Sequence, residues 1–214
     1  MAQETRNLQD SRADRRDWTN RTEISRQLLR AVEQMLDAGT TFTELTVEQL
    51  VGGAGLPRST FYLYFQDKSD LLLALIDEVI LDLEASVHAW WNFPAGGTKA
   101  DLREALRPEM DVYRRHRAVM VSASEAAAYD PGVRNRLDDL FEVSTGRMTT
   151  HLRASQAQGL IRPDVDVDAA SRWIGTMIAR GLEQLVLAAD PEELERLLTA
   201  EADIIWNVLY RGAG

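Results

Sequence analysis

The most constraining feature of this sequence is a short stretch, residues 53–68, in which a glycine-containing turn leads into an aromatic-rich segment. Just before it, residues 46–49 (Thr-Val-Glu-Gln) have the form of a capping box, in which two side chains satisfy backbone amides at a helix start. Gly53 and Gly55 should end that short helix, because glycine takes the positive φ that a tight turn between crossed helices needs. Pro57 suits the first position of a second helix. The stretch therefore predicts a helix-turn-helix.

The second helix of this motif should present an unusual outer surface. Phe61 and Phe65 lie four residues apart and are expected to face the core, which leaves a cation, two hydroxyls and two phenols on the outer faces. Such groups can donate to phosphates and read base edges in a major groove. The candidate DNA-binding residues are Thr46, Arg58, Ser59, Thr60, Tyr62, Tyr64 and Lys68. The alternative is that two tyrosines and an arginine merely coat an exposed helix.

The same residues resemble the signature of the TetR family of bacterial transcription regulators. The matching positions are Ala54, Gly55, Leu56, Thr60, Phe61, Tyr62, Phe65 and Lys68. The resemblance spans roughly residues 21–76. It implies a protein that binds a double-stranded DNA operator as a homodimer and whose helical second domain binds a small effector. Lys68 lies at the expected start of the next helix, where its ammonium and the free backbone amides would both favour a phosphate.

The net charge of −10 would argue against DNA binding if it were spread evenly. Residues 1–68, however, hold nine basic and ten acidic residues, so most of the negative charge lies after them. A DNA-binding domain that is nearly neutral overall can still present a basic face, even when the rest of the chain is acidic. The sequence has no cysteine, no apolar run long enough to span a membrane and no secretory signal, and these features indicate a cytoplasmic protein.

Helical periodicity without strand alternation predicts an all-α protein of about nine helices. Residues 1–20 are expected to form a flexible arm, whose Arg6, Arg12, Arg15 and Arg16 either reach a minor groove or belong to a solvated tail. A helix capped at residues 20–23 begins a three-helix DNA-binding domain, residues 21–66. The larger domain, residues 67–214, begins with a long helix that Asp67 caps and that continues to Trp90. Pro108 should kink or shorten the helix after it.

Aromatic and methionine side chains are spread over several helices of the larger domain. If they converge, they would line an apolar pocket for an elongated, uncharged effector, because the sequence offers no evident charged partner inside. The candidate ligand-binding residues are Trp90, Phe93, Met110, Tyr113, Phe141, Met148, Trp173, Met177 and Trp206. The alternative is that they form an ordinary core. The C-terminal run, residues 204–210, loosely resembles that of the mycobacterial ethionamide-resistance regulators in the TetR family.

The last two helices, near residues 168–188 and 191–210, carry a pattern that indicates assembly. Another helix can approach closely where side chains are small, as at Gly175, Ala179 and Gly181. Leu198 belongs to a broad apolar stripe on the last helix. In the TetR family the corresponding helices form the dimer interface, so we expect a homodimer built on these two.

No motif for catalysis, a metal or a cofactor is predicted. The three histidines lack the spacing of a metal-binding helix, and Asp164, Asp166 and Asp168 lack the glycine and distal glutamate of a calcium loop. The main hypothesis is therefore that the protein is a ligand-responsive transcription regulator that acts as a repressor. An enzyme on a helical scaffold, a protein-binding module and a regulator that has lost its ligand stay open as alternatives.

Overall fold

The computed structural model describes residues 2–94 and 96–210, and the side chains of residues 20–94 and 96–210. All regular secondary structure in this part of the chain is helical and none of it is a strand, which confirms the all-α class. Its α-helices are α1 (Ala2–Asp37), α2 (Val47–Gly53), α3 (Arg58–Tyr64), α4 (Lys68–Ser86), α5 (His88–Trp91), α6 (Lys99–Arg115), α7 (Arg117–Ala127), α8 (Pro131–Ala157), α9 (Val167–Gly181) and α10 (Pro191–Leu209). A π-helical turn, Leu182–Val186, follows α9. No helix in the described residues is both long and apolar enough to cross a membrane.

The chain forms two compact units, Met1–Ile80 and Leu81–Gly214. The division falls inside α4 and not at residues 66/67, where the sequence predicted it. The first part of α4 belongs to the first unit because Arg21 and Arg26 of α1 pair with Asp70 and Glu78 of α4, at 2.7 and 2.8 Å. A three-helix unit of fewer than fifty residues would bury little apolar surface alone, and this half of α4 adds to it.

The first unit is organised as the sequence predicted. The Thr46–Gln49 capping box is present at α2, Gly55 has a φ of +66°, and Phe61 and Phe65 are buried with ring centroids 5.4 Å apart. Gly39, with a φ of +96°, follows the end of α1. Asp67 caps α4, because its carboxylate accepts the amide of Asp70 at 2.9 Å. These local features fix the turn between α2 and α3 and the face that α3 presents.

The second unit has a core to which helices from α5 onward contribute. Trp90 of α5 lies at the centre and donates its indole N–H to the hydroxyl of Tyr210 at 3.2 Å. Three helices begin with an aspartate cap, Asp130, Asp166 and Asp190, and in two of them a proline follows at the first turn, as predicted. In the packing, α8 lies against α7 and α9, and α10 lies against α6.

Three predictions about helix boundaries are corrected. α1 begins at Ala2, so residues 20–23 lie inside it and do not cap it, since no glycine or proline interrupts residues 2–37. The side chains of the four arginines of the predicted arm lie outside the described residues. The predicted long helix divides at Val87, where the Ser86 hydroxyl and the Val87 amide both donate to the Leu83 carbonyl, at 2.6 and 3.3 Å. α6 runs beyond Pro108 to Arg115 and is not shortened.

Candidate functional sites

The outer face of α3 carries the side chains that the sequence proposed for DNA reading. Arg58, Ser59 and Tyr62 are exposed, whereas Thr60 and Tyr64 are half-buried. Arg58 and Tyr62 lie one turn apart on the same side of the helix, and Ser59 lies next to Arg58 at the exposed start of α3. The residues predicted on the outer face are therefore brought together, and two of the five are less available than expected.

Arg58 is held in place by two neighbours. It forms an ion pair with Glu48 of α2, and it donates a second N–H to the Tyr62 hydroxyl at 3.2 Å. Its guanidinium carbon lies 5.5 Å from the centre of the Tyr62 ring. The Tyr62 hydrogen bond and then the Glu48 charge raise the pKa of Arg58. The guanidinium is thus ordered over the outer face of α3, and binding DNA would require it to exchange Glu48 for a phosphate or a base edge.

Lys68 does not have the arrangement that the sequence predicted. Its ammonium donates to the backbone carbonyls of Phe42, Thr43 and Leu45 at 3.1, 2.8 and 2.7 Å. An ammonium has three N–H donors, so all of them are used inside the first unit. Partial burial lowers the pKa of Lys68, and the three acceptors oppose this effect because they bind the charged form. In this structure Lys68 therefore holds the loop before α2, and its contact with a phosphate stays a prediction.

Thr46 also has a structural partner. Its hydroxyl accepts the Gln49 amide at 3.3 Å and lies 2.9 Å from the Gln49 side-chain oxygen, as a capping residue should. Thr46 is exposed, and its contact with DNA stays a prediction.

Sequence reasoning missed Leu63, whose side chain is 72% exposed in the middle of α3. It lies four residues after Ser59, on the same side of the helix. The sequence did contain a signal for this exposure. Leu63 lies midway between Phe61 and Phe65, and when both phenylalanines face the core, helical spacing turns Leu63 outward. Its methyl groups are suited to contact a thymine methyl in a major groove.

Seven of the nine candidate ligand-binding residues lie in or against one apolar cluster of the second unit. Trp90, Met110 and Tyr113 are buried in this cluster, and four others pack against it while keeping some exposed surface. The half-buried members are Phe93, Met148, Met177 and Trp206. Phe93, Trp206 and Tyr210 form an aromatic group with ring centroids 5.3 to 6.5 Å apart. The predicted convergence is therefore present. The apolar cluster of the second unit, which includes these aromatic rings, is called the aromatic cluster below.

Two candidates lie elsewhere. Trp173 is 77% exposed on α9, so its assignment to a pocket is corrected. Phe141 of α8 is half-buried where α8 meets α9, near Gly175. Helical spacing placed both residues on a helix but could not say which side of that helix faces the core.

Two residues chosen for the dimer interface face the interior of their own unit. A Cβ added at Gly175 would lie 3.2 Å from the Thr145 hydroxyl of α8, so this glycine serves the packing of α8 on α9 within the chain. Leu198 is almost fully buried in the core of the second unit. Neither residue is therefore available to a second subunit, whereas Gly181 has open space around it.

A group of exposed apolar side chains lies on the last helices instead. Trp173 of α9, Leu185 of the π-helical turn, and Ile204 and Val208 of α10 are all exposed. A contiguous surface of such side chains would be typical of a site that a partner covers.

Two glutamates inside the second unit were also missed. Glu109 of α6 and Glu201 of α10 are half-buried, and burial and then the charge of Glu109 raise the pKa of Glu201 to about 8. The premise of the uncharged-effector prediction, that no charged partner lies inside, is therefore not met. The sequence did contain the signal, because Glu109 lies at helical spacing from Leu106 and Tyr113.

The histidines form no metal site. His116 pairs with Asp82 at 3.0 Å, and the His151 ring stacks on Trp91 with centroids 6.1 Å apart. Burial lowers the pKa of His151. Within residues 20–94 and 96–210, no three acidic, histidine or cysteine side chains are placed to hold a metal ion.

Comparison with known proteins agrees with the motif in the first unit. Residues 31–75 match the family described as bacterial regulatory proteins, tetR family. The chain is 29% identical over 182 residues to the HTH-type transcriptional regulator EthR of Mycolicibacterium smegmatis, covering 84% of this chain and 83% of that protein. It is 25% identical over 155 residues to the HTH-type transcriptional repressor AcnR of Corynebacterium diphtheriae, covering 72% and 76%. A TetR transcription regulator from Haloarcula marismortui has a similar structure, with a TM-score of 0.68, 20% identity, and coverage of 89% and 99%.

Proposed function

Since the chain belongs to the TetR family of bacterial transcription regulators, we propose that it is a cytoplasmic repressor whose homodimer binds a palindromic operator and is released by a small effector. The observation that carries this proposal is the outer face of α3, where an ordered arginine, a serine, a tyrosine and a leucine lie exposed together. Residues 21–66 would read DNA, and residues 67–214 would dimerise and bind the effector. The body of the effector would be largely apolar, to suit the aromatic cluster.

The DNA-reading part of the proposal divides the α3 side chains by role. Arg58, Ser59, Thr60 and Leu63 would lie closest to base edges, while Tyr62 and Tyr64 would contact phosphates. Arginine gives bidentate hydrogen bonds to guanine and thereby distinguishes base pairs, whereas a phosphate contact carries no sequence information directly.

The first prediction concerns Arg58. An operator should first be selected from a random duplex library with the wild-type protein. Arg58→Ala should then weaken binding to that operator by about 5- to 150-fold, equivalent to 1–3 kcal/mol, and should relax the preference at particular base pairs. Binding is measured by fluorescence anisotropy at fixed salt.

Arg196→Ala is the matched control, because Arg196 is an exposed arginine of α10 whose ion pair with Glu192 lies within its own helix. It removes the same charge from a part of the chain that should not read DNA. Equal losses in both variants, or an unchanged base preference in Arg58→Ala, would contradict the assignment of α3.

The dimer part of the proposal is supported by the exposed apolar side chains of α9 and α10. A palindromic operator read by one helix-turn-helix per chain requires two chains related by a two-fold axis. Trp173, Leu185, Ile204 and Val208 would lie in the isologous interface, where burial against a second copy removes them from water. Gly181 would lie beside them and allow close approach.

The second prediction tests this surface. Ile204→Asp should give a folded monomer and weaken operator binding at least about tenfold, because the two half-sites would no longer be bound together. Sedimentation velocity measures the assembly, and circular dichroism measures the fold. Val143→Asp is the matched control, since Val143 of α8 is 48% exposed against 47% for Ile204. If Ile204→Asp stays dimeric, the interface lies elsewhere.

The effector part of the proposal requires a difference in affinity between two states of the dimer. An effector that binds the state with weak operator affinity more tightly shifts the population towards it, typically by a coupling of about 1–3 kcal/mol. α4 contributes residues to both units, so a change at its second half would be carried along the helix towards the first.

A further inference from the structure

The side of α3 that faces away from the core carries an apolar side chain at its outermost point. Phe61 and Phe65 mark the inner side of the helix, because both are buried. At 3.6 residues per turn, Leu63 lies about 160° around the helix axis from each of them, and no other residue of α3 is as far from both. Its side chain is 72% exposed, in agreement with this position. When this side of α3 faces a groove, Leu63 is the residue nearest the base pairs.

The exposure of Leu63 also stands out within the first unit. A single exposed leucine on an arbitrary surface would need no explanation. Within residues 20–80, however, Tyr62 and Leu63 are the only large apolar side chains that are exposed, and they are neighbours on α3. The other large apolar side chains in this range are buried or half-buried. The exposed apolar surface of residues 20–80 therefore lies on the helix that is proposed to meet DNA.

The residues around Leu63 already supply polar groups to the same surface. Arg58 is exposed and is held by Glu48 and by the Tyr62 hydroxyl, and Ser59, one turn before Leu63, is exposed as well. A guanidinium is suited to guanine, and a serine hydroxyl can bond to several base edges. Leu63 has no side-chain donor or acceptor, so its contribution to DNA binding comes from apolar contact alone.

The major groove offers one substituent that a leucine can contact favourably. Thymine carries a C5-methyl group there, whereas the other three bases present hydrogen-bond donors or acceptors. A leucine placed over those polar groups would remove them from water without a replacement hydrogen bond, which costs free energy. Over a thymine methyl group, two apolar surfaces leave water together and the contact is favourable. The chemistry of Leu63 therefore favours thymine.

We propose that Leu63 reads the 5-methyl group of one thymine in each half-site of the operator and is thereby a specificity-determining residue. This assignment rests on the proposed DNA-binding function and specifies the base feature that α3 recognises at that position. It carries a consequence that hydrogen-bond readout does not have. Because leucine contacts only the methyl group, 5-methylcytosine should replace thymine at this position better than unmodified cytosine does.

The test removes the methyl group from the DNA and leaves the hydrogen-bonding groups of the base in place. In the operator selected with the wild-type protein, each thymine is replaced in turn by deoxyuridine, at symmetric positions of the two half-sites. One such replacement should weaken wild-type binding by about 10- to 20-fold, because it removes a methyl contact that contributes about fourfold from each half-site. Fluorescence anisotropy at fixed salt measures the affinities. If no replacement weakens binding, the proposal is overturned.

The variant Leu63→Ala assigns the methyl contact to this residue. Alanine favours the helix at an exposed position, so the variant should fold, which circular dichroism verifies. It should bind the thymine and deoxyuridine operators with equal affinity. Leu81→Ala is the matched control, at a leucine of α4 that is 47% exposed in the second unit, and it should keep the full wild-type difference. An undiminished deoxyuridine effect in Leu63→Ala would mean that DNA shape or another side chain causes it, and would overturn the assignment.

A second pair of duplexes tests the consequence for cytosine. At the position found with deoxyuridine, the thymine–adenine pair is replaced by a guanine pair with either cytosine or 5-methylcytosine. The wild type should bind the 5-methylcytosine duplex about 10- to 20-fold more tightly than the cytosine duplex, and Leu63→Ala should not distinguish them. Equal binding of the two duplexes by the wild type would mean that the methyl group is not what is read, and would overturn the proposal.

The selection of the operator separates this proposal from the proposed function. If the wild-type protein selects no operator from the random library, the proposed function fails, and the assignment of Leu63 fails with it. If an operator is selected and bound but its affinity does not depend on a thymine methyl group, the assignment of Leu63 alone fails.

Discussion

Replacing Lys68 by methionine should lower the free energy of unfolding of the first unit by about 2–4 kcal/mol, because three charge-assisted hydrogen bonds are lost and three carbonyls are left without their donor. Methionine keeps most of the side-chain length, and its apolar body can still pack near Phe42. The estimate is below the sum of three such bonds, since the ammonium is partly exposed and water can replace it in part. Hydrogen exchange of amides in α2 and α3, together with thermal denaturation, measures the loss.

The salt dependence of operator binding separates this role from a phosphate contact. At a temperature where the variant is folded, Lys68→Met should leave the slope of log affinity against log salt unchanged. A lysine that neutralises a phosphate would instead reduce that slope by about one. Arg30→Met, at an exposed arginine of α1, removes the same charge from the first unit without touching the loop before α2. Wild-type stability in Lys68→Met with a reduced salt slope would restore the phosphate role.

The features that the sequence predicted correctly are those decided by neighbours along the chain. The Thr46–Gln49 capping box, the Asp190 cap and the positive φ of Gly55 each depend on interactions within a few residues. The placement of Phe61 and Phe65 follows from helical spacing once α3 exists. The helix-turn-helix was therefore predictable, and with it the set of residues from which a reading face could be built.

The features that the sequence did not reveal depend on which distant segments meet. Lys68 was assigned to DNA because its carbonyl partners lie more than twenty residues earlier and only the fold brings them together. Trp173 was assigned to the pocket because its residue type does not indicate whether the side chain faces the core or the solvent. Glu109 and Glu201 were overlooked because the stripes of α6 and α10 were read for apolar residues, and a carboxyl inside such a stripe is informative only when the opposing helix is known.

The stability of the apo protein should fall as the pH rises from 5 to 8. Glu109 and Glu201 have folded-state pKa values of about 7 and about 8, above the ordinary value of 4.5. Between these limits the folded chain binds more protons than the unfolded chain, so raising the pH favours unfolding. Each pKa unit corresponds to about 1.4 kcal/mol, and we expect a contribution on the order of 2–4 kcal/mol from the pair, since both side chains are partly exposed to solvent. The neighbouring Glu195 has its pKa lowered to about 2 by Arg107 and does not contribute in this range.

The double variant Glu109→Gln with Glu201→Gln isolates this contribution, because glutamine keeps the shape of the side chain and does not titrate. Its urea-unfolding free energy should decrease less than that of the wild type between pH 5 and pH 8, and the difference between the two curves should vanish near pH 5. Parallel curves for the two proteins would mean that the ionisation of these two glutamates does not cause the pH dependence.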